Sequence, residues 1–226
     1  MIKVIRREAL EQSDYGWLNI EHHFSTPHNP KKKLGPVRVL NHETIQPKTG
    51  YDFHQHRDLE MITYVYHGTL THEDSLNNNH HVYQNHLQFL RAGSGVVHTE
   101  KNHQEEQLLM VQIWIDPKHL HLDPDYRVEP LSRDERRNKI VKVVSSESQD
   151  GKIKIDQNLN IFILDLDEEH TKTFELRHAK ESYLIQLQGQ ASINHKHLNP
   201  GDAMHADETL EIIPITHSHL LIIEIF

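Results

Sequence analysis

The chain has 226 residues, of which 24 are Lys or Arg and 33 are Asp or Glu, so its formal net charge is -9 at pH 7. Direct nucleic-acid binders usually present a basic stripe, and this acidic balance argues against a nucleic-acid ligand. The sequence contains no cysteine, which excludes disulfides, thiolate nucleophiles and thiolate metal ligands and fits a cytoplasmic protein. Any bound metal must therefore be held by nitrogen and oxygen, and the chain has 22 histidines.

Membrane and export signals are missing from the sequence. No window approaches the roughly 18 apolar residues of a membrane span, and the first residues, MIKVIRREALEQSDYGW, lack the apolar core of a secretion signal. We therefore expect a soluble protein that is not exported and has no membrane partner.

Short apolar segments with period-two alternation follow one another along most of the chain. In order, they are GPVRVLNHETI, MITYVYHGTLTHEDS, HLQFLRAG, LLMVQIWID, NIFILDL, YLIQLQGQASI and LLIIEIF. Turn residues separate them, and this pattern predicts an all-β sandwich or barrel. The best helical signal is SRDERRNKI, where Ser132 and Glu135 stand at capping-box spacing. We expect this short helix to lie on the connection between two halves of the chain.

The two halves share one plan, in which a strand, a glycine, a second strand, a polar hairpin, a turn and a third strand follow in order. Gly68 aligns with Gly189, and Asn85 takes the place of Gly201. Asn85 can occupy a position where the other half has glycine, because Asn tolerates left-handed backbone geometry. The sequence thus predicts a duplicated β domain, with an N-terminal metal-binding domain over 1–128, a connecting segment over 129–150 and a C-terminal domain without metal ligands over 151–226.

Histidine pairs of the form HxH occur four times, and in a chain this rich in histidine the spacing alone singles out none of them. We interpret His119/His121 and His195/His197 as surface features, and His217/His219 lie in the second half without a partner pair. The fourth pair is His54/His56.

The first pair, in FHQHRDLE, is distinguished by its surroundings. Alternate residues of a strand share a face, so His54, His56 and Glu60 are predicted to point the same way. In LRAGSGVVHTE, His98 and Glu100 are again one residue apart. Three imidazoles and one carboxylate suit Fe, Mn, Co, Ni, Cu or Zn. The predicted ligands are His54, His56, His98 and Glu100, while Glu60 is left open as a fifth ligand, an acceptor that orients an imidazole, or a buried carboxylate.

The second half does not repeat this set, so we expect one metal per chain, in the first half. Arginine, which is always cationic, cannot be a ligand. The positions equivalent to His54, His56 and Glu60 are Glu175, Arg177 and Glu181, and those equivalent to His98 and Glu100 are Pro214 and Thr216.

These residues resemble the pirin family of bicupins, and most closely its short bacterial members described as quercetin 2,3-dioxygenases. The matching pieces are GPVRVLNHETIQPKTGYDFHQHRDLEMITYVYHGTLTHEDS, LRAGSGVVHTE, LLMVQIWIDP, IKIDQNLNIF and the NPGD turn. The resemblance implies two cupin barrels of the double-stranded β-helix or jelly-roll type. It also implies that only the N-terminal barrel holds metal, most often Fe(II), through His54, His56, His98 and Glu100.

The implied reaction is the cleavage of a flavonol-like substrate by O2 with release of carbon monoxide, and Glu100 is the expected base. Phe53, Met61 and Trp114 are candidate pocket walls, although each also suits an ordinary core position. The alternative is a non-enzymatic regulatory or redox-sensing protein that binds metal and acts through a protein partner. A third reading is a cupin whose metal is purely structural.

The chain departs from the family pattern at two places, and neither removes a ligand. Gln84, Asn85 and His86 stand where the family usually has a PGD-like turn, which we expect to alter only that turn. Asp58 stands where the family often has glycine, and we expect this exchange to reshape the entrance of the pocket.

Overall fold

The computed structural model describes residues 1–146, 151–176 and 179–226. The segments in which apolar and polar residues alternate form β-strands along nearly all of this part of the chain. The predicted all-β class is confirmed. The strands are β1 (Ile2–Ile5), β2 (Glu11–Asp14), β3 (Leu18–Phe24), β4 (Val37–Ile45), β5 (Thr49–His56), β6 (Glu60–His67), β7 (Thr69–Asp74), β8 (Asn79–Tyr83), β9 (His86–Arg91), β10 (Val96–Asn102), β11 (Leu108–Ile115) and β12 (Asp125–Pro130). They continue with β13 (Ile140–Ser145), β14 (Ile153–Lys154), β15 (Leu159–Leu166), β16 (Lys172–Phe174), β17 (Glu181–Gln188), β18 (Ala191–Ile193), β19 (Lys196–Leu198), β20 (Ala203–Ala206), β21 (Leu210–Pro214) and β22 (Ser218–Ile225).

The chain divides into two units. The N-terminal barrel comprises Glu11–Leu131, and the C-terminal barrel comprises Met1–Leu10 together with Ser132–Phe226. These bounds differ from the sequence-based division at 1–128, 129–150 and 151–226, because β1 pairs with β20 in an antiparallel ladder and so belongs with the second unit. Residues 147–150 of the predicted connecting segment lie outside the described residues.

In the N-terminal barrel, a seven-stranded sheet has the order β12-β9-β6-β11-β4-β3-β2 and a four-stranded sheet has the order β5-β10-β7-β8. Two apolar clusters fill its interior. One contains Leu18, Ile20, Ile45, Val65, Leu70, Val82, Leu108 and Met110, and Tyr51 packs against it. The other contains Leu59, Met61, Leu90, Ala92 and Val96, and Trp114 and Tyr126 pack against it.

The described part of the C-terminal barrel repeats this arrangement. A seven-stranded sheet has the order β1-β20-β17-β22-β15-β13-β14, and a four-stranded sheet has the order β16-β21-β18-β19. The segment after β1 is tied to the barrel through Asp202, which is only 2% exposed. Its carboxylate accepts from Arg6 Nη1 at 2.6 Å and from the backbone N–H of Arg7 at 2.9 Å.

The turn residues predicted from the internal repeat are confirmed. Gly68 and Gly189 have φ of 82° and 72°, while Asn85 and Gly201 have φ of 64° and 86°. A Cβ at Gly68 would lie 2.8 Å from the backbone oxygen of Gln107, so a side chain does not fit there. Asn85 therefore adopts the left-handed geometry that Gly201 supplies in the other half.

The predicted short helix is also confirmed and spans α1 (Arg133–Arg136), while Arg7–Ala9 forms a 3-10 turn. The backbone N–H of Ser132 donates to Glu135 Oε2 at 2.8 Å, and the backbone N–H of Glu135 donates to Ser132 Oγ at 3.4 Å. This reciprocal pair satisfies N–H groups that the helix start leaves unbonded. Within the described residues, no helix has the length and apolar character to cross a membrane.

Candidate metal centre

A β-bulge determines which residues of β5 face the barrel interior. His54 lies opposite His98 on β10, and Tyr51 lies opposite Glu100, so β5 carries one residue more than β10 between these two pairs. The extra residue lets both Tyr51 and His54 point inward, where simple alternation would allow only one of them. The Tyr51 hydroxyl donates to Glu43 Oε2 at 3.0 Å, and its ring lies 5.7 Å from that of His54.

Three imidazoles converge at this end of β5. The ring centroids of His54 and His98 are 4.4 Å apart, those of His54 and His56 are 4.9 Å apart, and those of His56 and His98 are 5.0 Å apart. One ring nitrogen from each residue lies within 4.8 Å of the others. Tyr51 and Trp114 place this group between the two apolar clusters, since Trp114 lies 5.1 Å from the His56 ring.

The hydrogen bonds around the rings leave nitrogens available for a cation. His54 Nδ1 lies 2.7 Å from the backbone oxygen of Asp52 and donates to it, which leaves the lone pair on Nε2. His56 Nε2 and both ring nitrogens of His98 are buried and have no hydrogen-bond partner among the described residues. Burial, with the neighbouring His54, lowers the pKa of His56 to about 4 and that of His98 to about 2, so both rings are neutral at physiological pH.

Glu100 is buried and accepts from two glutamine side chains. Gln88 Nε2 donates to Glu100 Oε1 at 2.6 Å, and Gln112 Nε2 donates to Glu100 Oε2 at 2.8 Å. The orientation of Gln112 follows from its other bond, because Trp114 Nε1 can only donate and does so to Gln112 Oε1 at 2.9 Å. Tyr126 donates in the same way to Gln88 Oε1 at 3.0 Å. Burial raises the pKa of Glu100, while these amide donors favour its carboxylate form.

His72 is a residue that the sequence analysis missed. It lies on β7, directly across from Glu100 on β10. Candidate ligand atoms of His72, His98 and Glu100 lie within 4.8 Å of one another. Glu100 therefore belongs to a second set of three residues, which shares His98 with the three-histidine set. The signal was present in TLTHEDS, where Leu70, His72 and Asp74 alternate on a strand whose Leu70 is in the core.

The prediction that Glu60 shares the face of the two histidines is wrong. Strand alternation is interrupted at Asp58, whose φ is +47°. Met61, the second residue of β6, lies in the interior cluster, and Trp114 packs against that cluster. Since adjacent strand residues point to opposite faces, Glu60 points away from the interior. Glu60 is a buried carboxylate, at 5% exposure, and is not part of either group of candidate ligands.

The left-handed geometry of Asp58 explains why glycine suits this position. Its side chain accepts from the backbone N–H of His121 at 2.6 Å and lies 3.2 Å from His121 Nδ1. The departure from the family pattern therefore anchors the loop that carries His121. His119, His195 and His197 are exposed, as predicted for surface pairs.

In the C-terminal barrel, His217 is 55% exposed and its Nε2 lies 2.5 Å from Asp165 Oδ1, whereas His219 is buried. Arg177, the predicted equivalent of His56, lies outside the described residues. In the described parts of the chain, both groups of three or more candidate metal ligands belong to the N-terminal barrel.

A cleft of about 580 Å³ opens beside His54, and its volume is in the range of small-molecule sites. Trp17 and Tyr51 form an aromatic wall, with ring centroids 5.2 Å apart and planes at 88°. Phe53, which is 65% exposed, lies at the same cleft and is not a core residue. Met61 is instead an ordinary core residue, and Trp114 contacts His56 from the interior.

The residues fit a divalent transition metal. Each buried polar atom without a partner costs about 1–3 kcal/mol, and the unpartnered nitrogens here belong to neutral rings that point into one space. Imidazole nitrogens with a nearby carboxylate are the ligands that borderline divalent ions prefer. The arrangement can therefore hold such an ion without any displacement of a competing hydrogen bond on His56 or His98.

Comparisons with known proteins agree with this architecture. The family model described as "Pirin" matches residues 4–115, and the one described as "Quercetinase C-terminal cupin domain" matches residues 142–225. A "Pirin-like protein" of Caulobacter vibrioides is 34% identical over 86% of each chain, and a "Quercetin 2,3-dioxygenase" of Escherichia coli K12 is 27% identical over 94% of this chain and 97% of that one. The crystal structure of the bacterial pirin YhhW from Escherichia coli in complex with nickel(II) has a TM-score of 0.89 at 25% identity and covers 100% of this chain and 99% of that one. The two barrels are therefore those of a bicupin, and the chain belongs to the pirin family.

Proposed function

We propose that the chain is a metal-dependent dioxygenase that cleaves a flavonol-like substrate with O2, in the manner of quercetin 2,3-dioxygenase. The convergence of His54, His56 and His98, with unpartnered nitrogens on the last two and an open cleft lined by the first, is the observation that carries the proposal. The relative named as a quercetin 2,3-dioxygenase supports the substrate class.

The proposed ligands of one divalent metal per chain are His54, His56, His98 and Glu100. Fe(II) is the preferred ion, and Ni(II), which the YhhW structure contains, is the first alternative to test. When bound, the metal would supply Lewis-acid activation of the flavonol 3-hydroxyl and electron exchange with O2. An ion that accepts five or six ligands would keep room for substrate beside four protein ligands, as a catalytic site requires.

Glu100 is the proposed base for the 3-hydroxyl proton. Burial raises the pKa of this carboxyl, which makes it a better proton acceptor than an exposed glutamate. The two amide donors, Gln88 and Gln112, keep both of its oxygens at defined positions and so determine where the proton is received. Trp114 and Tyr126 hold these amides in turn, so the base is positioned through residues that do not line the cleft.

The cleft would bind the planar rings of the substrate. Trp17 and Tyr51 offer an edge and a face at right angles, an arrangement that packs well against a third aromatic ring. Exposed Phe53 lines the same cleft. These three side chains would exclude water from the end of the substrate that approaches His54.

The test combines metal analysis of the purified protein with an aerobic quercetin assay in the presence of Fe(II), Ni(II), Mn(II) or Co(II). We expect His98→Ala to lose metal and turnover together, and Glu100→Ala to lose most turnover, while the exposed control Glu105→Ala matches the wild type. Metal binding with undiminished, wild-type affinity in His56→Ala would overturn the ligand assignment. Bound metal without turnover under every metal tested would overturn the dioxygenase and leave a regulatory metal-binding protein.

A further inference from the structure

His72 is oriented like a metal ligand, although the proposed site does not include it. The side chains of His72 and Asp74 are both fully buried, and His72 Nε2 lies 3.0 Å from Asp74 Oδ2. Metal-bound histidines typically donate their second ring N–H to a carboxylate in this way, which fixes the tautomer and aims the other nitrogen at the ion.

The protonation of this pair follows from the other bonds of Asp74. Its Oδ1 accepts from the backbone N–H groups of Leu76 at 2.8 Å and Asn78 at 3.0 Å, and its Oδ2 accepts from Asn78 Nδ2 at 2.9 Å. A group with this many donors is an ionised carboxylate, so His72 Nε2 must donate to it. The lone pair of His72 therefore lies on Nδ1, which is buried and has no hydrogen-bond partner among the described residues.

The neighbours of His72 include two further donor groups. Its donor atom lies within 4.8 Å of those of His98 and Glu100. The rings of His72 and His98 have centroids 5.3 Å apart, and the Tyr126 ring stacks on His72 with centroids 4.1 Å apart and planes at 13°. Both nitrogens of His98 lack partners in the described structure, so the single lone pair of this neutral ring is not committed to a hydrogen bond and can serve one cation at a time.

We infer that the N-terminal barrel contains a second cation position, made by His72, His98 and Glu100, next to the position made by His54, His56 and His98. The second position takes a divalent transition metal, since two imidazoles and one carboxylate are its ligands. It shares His98 and Glu100 with the proposed site and in that respect rests on the proposed function. Its distinct residue is His72, which lies on β7, on the far side of β10 from β5.

The test is Co²⁺ binding, measured by calorimetry and by the visible spectrum of the bound ion, in the full-length protein. The first variant, His54→Ala/His56→Ala, removes the first position. We expect it to retain one equivalent of Co²⁺ with affinity roughly 10–100-fold below that of the wild type, since the remaining carboxylate and imidazoles still form a site.

Two further variants are made in that background. Adding His72→Phe, which keeps the ring that stacks on Tyr126, should abolish the remaining equivalent, whereas adding the exposed control His119→Gln should not. Adding Asp74→Asn is the milder change and should weaken Co²⁺ binding by roughly 10–100-fold, which keeps the inference testable if the phenylalanine variant does not fold.

Two results would overturn the second position. One is the absence of bound Co²⁺ in a folded His54→Ala/His56→Ala protein, and the other is an unchanged equivalent after His72→Phe is added. Neither result would affect the first position, whose failure would appear instead as a wild-type protein that binds Co²⁺ no more tightly than His54→Ala/His56→Ala. Calorimetric affinity and stoichiometry together therefore separate the failure of this inference from the failure of the proposed function.

Discussion

Gln112 Nε2 donates to Glu100 Oε2 at 2.8 Å, and both side chains are buried in the N-terminal barrel. The amide cannot rotate to present its oxygen instead, because Trp114 Nε1 requires that oxygen as an acceptor. The Trp114 indole can only donate, so it fixes the orientation of the Gln112 amide. Through this orientation it ensures that Glu100, the only anionic candidate ligand, faces a hydrogen-bond donor. Such indirect contacts commonly affect metal affinity nearly as much as the ligands do.

Replacing this glutamine should weaken metal binding. In Gln112→Leu, Glu100 loses one of its two amide donors and Trp114 loses its acceptor. We expect the Kd for Ni²⁺ to rise by roughly 10–100-fold, as measured by competition with a chelator of known affinity. Gln55→Leu, at an exposed position between the two histidines of β5, is the matched control. An unchanged Kd in Gln112→Leu would show that the amide does not support the site.

Removing an imidazole that has no hydrogen-bond partner should not lower the stability of the metal-free protein. Both nitrogens of His98 are buried without partners in the described structure, so His98→Leu should leave the metal-free barrel as stable as the wild type or more stable by about 1–2 kcal/mol. The variant should also lose the stabilisation by added metal, which is about 2.7 kcal/mol at a ligand concentration of 100 Kd.

Urea denaturation of the N-terminal barrel would measure both effects, since Trp17 and Trp114 are the two tryptophans of the chain and both lie in this unit. His103→Leu, at an exposed position just after β10, serves as the control. A metal-free His98→Leu protein less stable than the wild type by several kcal/mol would mean that the imidazole is held by contacts of its own.

The backbone at Asp58 predicts an unusual order of stability for two substitutions. Asp58→Ala and Asp58→Gly both lose the contacts with His121, but only alanine must adopt the left-handed φ of +47° with a Cβ. We expect the glycine variant to be more stable than the alanine variant by about 1 kcal/mol. At exposed Asp156, whose φ is not positive, the same pair should show the reverse order. Tryptophan fluorescence in urea distinguishes the two orders at Asp58, and equal stabilities there would contradict the argument.

Asp202 should make the stability of the C-terminal barrel depend on pH. Burial alone would raise the pKa of its carboxyl, but the backbone N–H groups of Asn199 and Arg7 and the guanidinium of Arg6 outweigh it and hold the pKa below the ordinary 3.8. A depressed pKa in the folded state contributes stability that is fully present above the unfolded value and is lost as the pH falls through the folded value.

The difference in unfolding free energy between the wild type and Asp202→Asn should therefore be constant above about pH 5, at about 1–3 kcal/mol, and should shrink as the pH falls below about 4. Far-UV circular dichroism in urea measures it, with tryptophan fluorescence separating the N-terminal barrel. Asp156→Asn, at an exposed position, provides the comparison. A difference that grew at low pH would reverse the sign of the predicted linkage.

Much of this protein could be predicted from local patterns. Alternation with turn residues indicated an all-β fold, the repeat placed Asn85 in left-handed geometry, and Ser132 with Glu135 marked the short helix. Each of these features depends on a few consecutive residues, whose backbone preferences act without help from the rest of the chain. The same local alternation brought His54 and His56 to one face of a strand.

Features that depend on residues far apart in the sequence were decided only by the tertiary structure. Glu60 does not lie on the predicted face of the sheet, because the left-handed backbone at Asp58 interrupts strand alternation. A shift of one residue places every following side chain on the opposite face. His72 joined Glu100 only through the pairing of β7 with β10, which no local pattern specifies. Residues 1–10 were assigned to the C-terminal barrel by the ladder between β1 and β20. Strand pairing and register are set by burial and by complementary partners, and these exist only once the chain has folded.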